Sequence, residues 1–105
     1  DDRTTYHATA SVAANHLVAL CAEVETLAGR LDIDPAGFWQ MMETTLADVA
    51  QHGSAAALTG PVARGDWATV RAHLNTLDDD QREPYIALAR VAARVARREL
   101  PSDLT

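Results

Sequence analysis

The chain contains no lysine: its nine basic residues are all arginines. That absence excludes a Schiff base, a lysine general acid and a phosphate-loop lysine from this segment. Cysteine occurs once, at Cys21, so no intrachain disulfide can form. Set among apolar residues at helical spacing, Cys21 reads as a small core residue. Aromatics make up only 5% of the chain, and no alternating strand pattern, internal repeat or low-complexity linker occurs, all of which argue against a sheet. No apolar run approaches the roughly 20 residues of a membrane-spanning helix, and no signal peptide is visible. A cytoplasmic protein is therefore expected. Motifs are missing too: there is no GxSxG, CxxC, HExxH or GxGxxG.

What is present suits close-packed helices. The 105 residues suffice for one domain, 48% of them are hydrophobic, and 21 are alanine. The formal charge of -6 argues against nucleic acid or an anionic membrane surface as a partner. A start at Asp1, without methionine, suggests a domain cut from a larger protein. The expected fold class is all-α: a compact bundle of four main helices plus a short one, with residues 1–105 forming a single helical domain.

The helices follow from apolar periodicity and end signals. Val12, Leu17, Leu20, Cys21, Val24, Leu27 and Leu31 form one stripe from about Thr5 to Arg30, with Thr4 or Thr5 placed to cap it. Asp34 and Pro35 are N-cap and first-turn residues for a second helix, whose stripe is Phe38, Met41, Met42, Leu46 and Val49 and whose stop is Gly53. Ser54 caps a short turn, and a loop runs from Thr59 to Gly65. Asp66 caps a third long helix with Trp67, Val70, Leu74 and Leu77 facing inward. Asp78, Asp79 and Asp80 open the last, which continues through Leu100 to Pro101 and tolerates Pro84 only in its first turn or as a kink.

Two places carry candidate chemistry. His7, Ser11 and Asn15 share one helical face at i, i+4, i+8, which reads either as a solvated face or as one wall of a cleft. The loop holds Thr59, Gly60, Pro61, Arg64 and Asp66: glycines for unusual backbone angles, a stiffening proline, and a forked cation suited to a carboxylate or phosphate. It reads equally as a turn in which Arg64 pairs with a nearby acid. His7 and His16 point in nearly opposite directions, and His52 and His73 have no partner at metal-ligand spacing, so no metal site is expected. The basic run Arg90 to Arg98 reads as a solvent-facing helix end, with a phosphate or partner contact as the alternative. The alanine-rich faces, with Trp39, Met41 and Met42, suit packing within the domain or between two copies.

Two stretches together resemble a known family. Tyr6-His7-Ala8 followed by Ala14-Asn15-His16-Leu17-Val18-Ala19-Leu20 is similar to the start of the helical C-terminal domain of Rossmann-like, DUF2520-domain proteins. Ala57-Leu58-Thr59-Gly60-Pro61-Val62-Ala63-Arg64-Gly65-Asp66 resembles that domain's most distinctive loop. The resemblance implies an N-terminal Rossmann domain, absent from this chain, that binds NADP(H). It also implies a helical domain like those of 6-phosphogluconate dehydrogenase, pyrroline-5-carboxylate reductase and ketopantoate reductase, which close the substrate cleft and often build a homodimer.

Many such enzymes carry a Lys-x-x-x-Asn pair on the first helix of this domain, the lysine serving as proton donor. Asn15 matches the asparagine, but Ser11 stands at the lysine position and cannot replace an ammonium. With the lysine missing, His7, the nearby group whose pKa range suits proton transfer, is expected to donate or position the proton, and Asn15 to orient a substrate carbonyl. Ser11, Thr59, Gly60, Pro61, Arg64 and Asp66 are then expected to bind substrate, with Arg64 or loop N–H groups holding a carboxylate. The expected function is the substrate-side and dimerisation domain of an NADP-dependent oxidoreductase, with a small 2-keto acid such as ketopantoate as candidate substrate. The alternative is a non-catalytic helical interaction module of a nucleotide-binding protein.

Overall fold

The computed structural model describes residues 1–105 and is helical throughout, without strands. In order, α1 spans Asp2–Ser11, a π-helical segment Val12–His16, α2 Leu17–Arg30, α3 Ala36–His52, α4 Ser54–Ala57, α5 Pro61–Arg64, α6 Trp67–Thr76 and α7 Asp79–Ala96, with a 3-10 turn at Ser102–Leu104. The expected all-α class holds. No helix is long and apolar enough to cross a membrane. The residues cluster into two compact units, Asp1–Glu43 and Thr44–Thr105, the boundary falling inside α3.

In the first unit the chain is helical from Asp2 to Arg30. Its cap is Asp1, whose Oδ1 accepts from Thr4 N–H at 2.9 Å, and not Thr4 or Thr5. The five-residue step from Val12 to Leu17 in the apolar stripe coincides with the π turn, whose extra residue re-registers the stripe before α2. That stripe is not uniformly buried, contrary to the expectation. Ala28 is the one buried residue among the first 43, Cys21, Val24 and Leu27 are half-buried, and Val12 and Leu31 are 57% and 68% exposed. Asp34 does open α3, its Oδ1 accepting from Ala36 N–H at 2.8 Å.

The second unit has a conventional core. Val62, Val70, Leu74, Ala89, Ala93 and Leu104 are buried together, with Trp67, Tyr85 and Ile86 packed against them. These come from α5, α6, α7 and the C-terminal turn, so even the short α5 contributes an anchor, Val62. Met41 and Leu46, read from sequence as core residues, are instead 61% and 60% exposed. Asp66 caps α6 as expected, and Gln81 accepts from Asp78 N–H at 3.1 Å at the start of α7.

Two features of α7 depart from the sequence reading. It runs through Pro84, beyond the first turn, leaving the exposed Asp80 carbonyl without its helical donor. It also stops at Ala96, short of Leu100. Arg97 turns left-handed (φ 55°), and Arg98 N–H reaches back to Ala93 O at 2.9 Å, closing the end as a glycine normally would. Long-range polar contacts tie the ends down. Arg71 pairs with Asp103 through two bonds of 2.9 and 3.0 Å, and Arg82 Nε donates to Leu74 O at 2.9 Å.

Candidate functional site

The two sets of candidate residues lie one in each unit: His7, Ser11 and Asn15 in the first, Thr59, Gly60, Pro61, Arg64 and Asp66 in the second. Ser11 ends α1 and Asn15 lies in the π segment. The structure brings them together, with Asn15 Nδ2 donating to Ser11 Oγ at 3.4 Å. His7 is exposed one turn earlier, its ring edge-on to Tyr6 with centroids 5.9 Å apart. From Thr4 to Ala22 the helix carries 19 residues without one Asp, Glu, Lys or Arg, although 23% of the chain is charged. That uncharged stretch is nevertheless exposed, with Tyr6 at 72% and Val18 at 68%.

The Thr59–Asp66 segment is more ordered than a plain loop. Pro61–Arg64 form a single helical turn with Pro61 at its start, framed by Gly60 (φ 95°) and Gly65 (φ 68°). Positive φ at both ends explains why glycine stands there. The N–H groups of Arg64, Gly65 and Asp66 are bonded internally, to Gly60 O, Val62 O and Pro61 O at 3.3, 3.1 and 2.8 Å. Those three N–H groups are thus committed to the turn.

Asp66 is built into the fold. Its Oδ1 accepts from Thr69 N–H at 3.2 Å and its Oδ2 from Thr69 Oγ1 at 2.7 Å. The Thr69 hydroxyl, then its N–H, hold the Asp66 carboxyl below the usual carboxylate range, with the nearby Arg64 adding to the effect against partial desolvation. Asp66 Oδ2 also lies 3.8 Å from Arg64 Nη2, an ion pair too long for a hydrogen bond. The Arg64 side chain stays 62% exposed. So the acid expected to neutralise Arg64 is present, but it is occupied by the cap. A guanidinium with donors facing water can take a second, incoming carboxylate in forked geometry.

Sequence reasoning missed three groups. Arg98, read as part of a solvent-facing run, donates from Nε to Ala63 O at 2.8 Å and lies over Gly65, so that a Cβ there would sit 2.9 Å from its guanidinium. No local pattern signals a contact across 35 residues. His73 and Tyr85, on α6 and α7, share a hydrogen bond of 2.8 Å between Nδ1 and the phenol oxygen, the rings edge-to-face. Partial burial pushes the Tyr85 phenol up from its ordinary value. The third is a groove of about 440 Å³ beside Thr59, walled by the polar side of α3. No cluster of three or more metal-ligating side chains occurs.

A family sequence profile described as "Domain of unknown function (DUF2520)" matches residues 1–92. Comparison with curated proteins returns no match, and neither does comparison with solved structures.

Proposed function

The chain belongs to the DUF2520 family, and from that premise we propose that it is the substrate-side and dimerisation domain of an NADP-dependent oxidoreductase, its cofactor held mainly by an N-terminal Rossmann domain of the same cytoplasmic protein. The observation that carries the reading is Arg64: a largely exposed guanidinium on a one-turn helix whose backbone is framed by two positive-φ glycines and held by the Arg98 bond to Ala63 O. The held turn fixes the backbone from which Arg64 reaches, and its exposed guanidinium keeps donors for a substrate carboxylate. His7, Ser11 and Asn15 belong to the other unit, and there we read Asn15, paired with Ser11, as the group for a carbonyl and His7 as a proton donor. Thr59, Gly60 and Pro61 shape the approach to Arg64.

A small 2-keto acid, with ketopantoate one candidate, offers the carboxylate that suits Arg64. The test is NADPH oxidation by the full-length protein across a panel of 2-keto acids. Arg64→Ala should raise KM about 10- to 100-fold, because a charge-assisted contact is lost. His7→Ala should lower kcat about 10²-fold, with KM less affected. Near-normal turnover in both variants would refute the assignment.

The dimerisation part draws support from the 19-residue uncharged stretch exposed on the first helix, since depletion of charge marks the centre of interfaces. One observation favours the second reading, a non-catalytic interaction module: Ser11 stands where related enzymes have a lysine, and the chain has no lysine at all. A full-length protein that binds NADPH and self-associates, yet oxidises it with no 2-keto acid, would select that reading.

A further inference from the structure

The segment that follows α7 is attached to the second unit at three points. Arg97 takes the left-handed conformation (φ 55°), which a residue with a Cβ keeps only when its surroundings hold it there. From there the chain crosses to α5 and α6. Arg98 Nε donates to Ala63 O of α5 at 2.8 Å. Asp103 takes the Arg71 guanidinium of α6 through two bonds of 2.9 and 3.0 Å. Leu104, 5% exposed, enters the same buried cluster as Val62, the anchor of α5, and Leu100 packs against that cluster.

Side chains make all three attachments. The N–H groups of Leu104 and Thr105 bond within the segment, to Pro101 O and Ser102 O, and no backbone hydrogen bond joins residues 99–105 to the rest of the unit. A segment held by one buried leucine, one exposed ion pair and one side-chain bond opens more readily than helices that share a core. The turn beneath it has the opposite need. Pro61–Arg64 is a single helical turn, too short to hold itself by its own backbone bonds. Val62 fixes its inner side, and the Arg98 guanidinium fixes its end by taking Ala63 O and lying over Gly65.

We propose that residues 97–105 are a strap that opens and closes on the second unit while α6 and α7 stay folded, and that Arg98 is a positioning residue. With the strap closed, Arg98 holds the turn that carries Arg64; with the strap open, that turn is released. The strap thus controls how well Arg64 takes an anion, a consequence that rests on the carboxylate role given to Arg64 under Proposed function. Coupling of this kind is reciprocal, so a carboxylate on Arg64 favours the closed strap in turn.

The test is amide NMR on the 15N-labelled 105-residue chain. In the wild type, hydrogen exchange in urea well below the unfolding midpoint should show Arg98 and Leu104 exposed by one shared opening. That opening should be at least about 10-fold more frequent than the one that exposes Val70 and Leu74, and less sensitive to urea. Leu104→Ala should send residues 102–105 to disordered shifts and move Gly65 and Asp66, while Val70, Leu74 and Ala89 stay dispersed; Leu104→Met should restore the wild-type pattern. Arg98→Ala should move Gly65 and Asp66 as well but leave residues 102–105 docked, an outcome that loss of the anchor alone does not produce. Acetate should bind about 2- to 10-fold more weakly in both alanine variants, as expected for a turn that has lost one hydrogen bond. Exchange of Arg98 and Leu104 only through the opening that exposes the core would overturn the proposal, as would Gly65 and Asp66 amides unmoved in both alanine variants. Turn amides that move while acetate affinity holds would refute the control of Arg64. A wild-type chain whose Arg64 does not respond to acetate would count against the carboxylate role of Arg64, and the exchange pattern with the Gly65 and Asp66 shifts would still decide the strap.

Discussion

Replacing Gly65 with alanine probes how the turn that presents Arg64 is held. Two effects add. Gly65 has φ 68°, a conformation that a residue with a Cβ adopts at a cost of about 1–2 kcal/mol. The new Cβ would also lie 2.9 Å from Arg98 Nη1 and 3.2 Å from Cζ, so the guanidinium must swing away. Its 2.8 Å bond to Ala63 O then breaks, which for an exposed partner is worth about 0.5–1.5 kcal/mol. Alanine recovers about 0.4–1 kcal/mol by restricting the unfolded chain. The net expectation is about 1.5 kcal/mol of destabilisation, a fall in Tm of about 10 °C for a unit of this size. The assay is thermal and urea unfolding followed by Trp67 fluorescence, in a Trp39→Phe background so that the signal comes from the second unit. The decisive measurement is the cycle with Arg98→Ala, where the contact is already gone and alanine should cost about 1 kcal/mol less than it does beside Arg98. A cycle that adds within about 0.3 kcal/mol would show that Arg98 does not lock the turn.

The remaining predictions concern pH and association. The Asp66 and Asp103 carboxyls are both held below their usual range, chiefly by hydrogen bonds from Thr69 and from Arg71 respectively. Their contribution is therefore present above the ordinary carboxylate range and is lost as pH falls through the lowered folded values. Urea midpoints of the second unit should decline on acidification below about pH 5, and Asp66→Asn with Asp103→Asn should flatten that decline; an unchanged slope would remove both groups from the account. On the dimerisation reading, Val18→Glu, at a position 68% exposed in the uncharged stretch, should weaken self-association at least about 10-fold in sedimentation equilibrium. Leu88→Glu, on α7 and 46% exposed, should not, and a wild-type chain that stays monomeric at all concentrations would remove the dimer.

How much of this was legible in sequence depended on whether the signal was local. The bounds of α3 and the start of α6 were, because Asp34, Gly53 and Asp66 act on their own neighbours: Asp34 and Asp66 accept the N–H groups that open α3 and α6. So was the pairing of Ser11 with Asn15, an i, i+4 contact. The π turn was present only as a five-residue step in the stripe, and a periodicity of three and four passes over such a step. The end of α7 was misplaced because Arg97 adopts the left-handed conformation that sequence reasoning reserves for glycine or asparagine, and what compensates is Arg98 docking on a carbonyl 35 residues away. Arg98 on the loop and the His73–Tyr85 bond are both tertiary, and no spacing rule reaches them.

The exposure of Met41, Leu46, Val12 and Leu31 teaches something different, because there the apolar pattern was read correctly and the burial was not. A stripe reports that a face needs covering, and it does not say by what. The second unit meets that need from within, since α5, α6 and α7 bury Val62, Val70 and Ala93 against each other. The first unit has one buried residue, Ala28, to set against an ordering cost of roughly 1–2 kcal/mol for each residue held helical. With Cys21, Val24, Leu27, Phe38, Trp39 and Met42 only half-buried, burial offsets less of that cost than the second unit's core does, and local helix propensity offsets only part of it. The stretch from Thr4 to Ala22 therefore calls for another surface, and its lack of charge removes the main penalty for covering it. His7, Ser11 and Asn15 lie on that same stretch. On the dimerisation reading, a second copy packed there would come to rest beside the polar stripe and strengthen its hydrogen bonds by excluding water. If the dimerisation and oxidoreductase readings both hold, Val18→Glu should reduce turnover of the full-length protein as well, and a monomeric variant with unchanged kcat would separate the two roles of the helix.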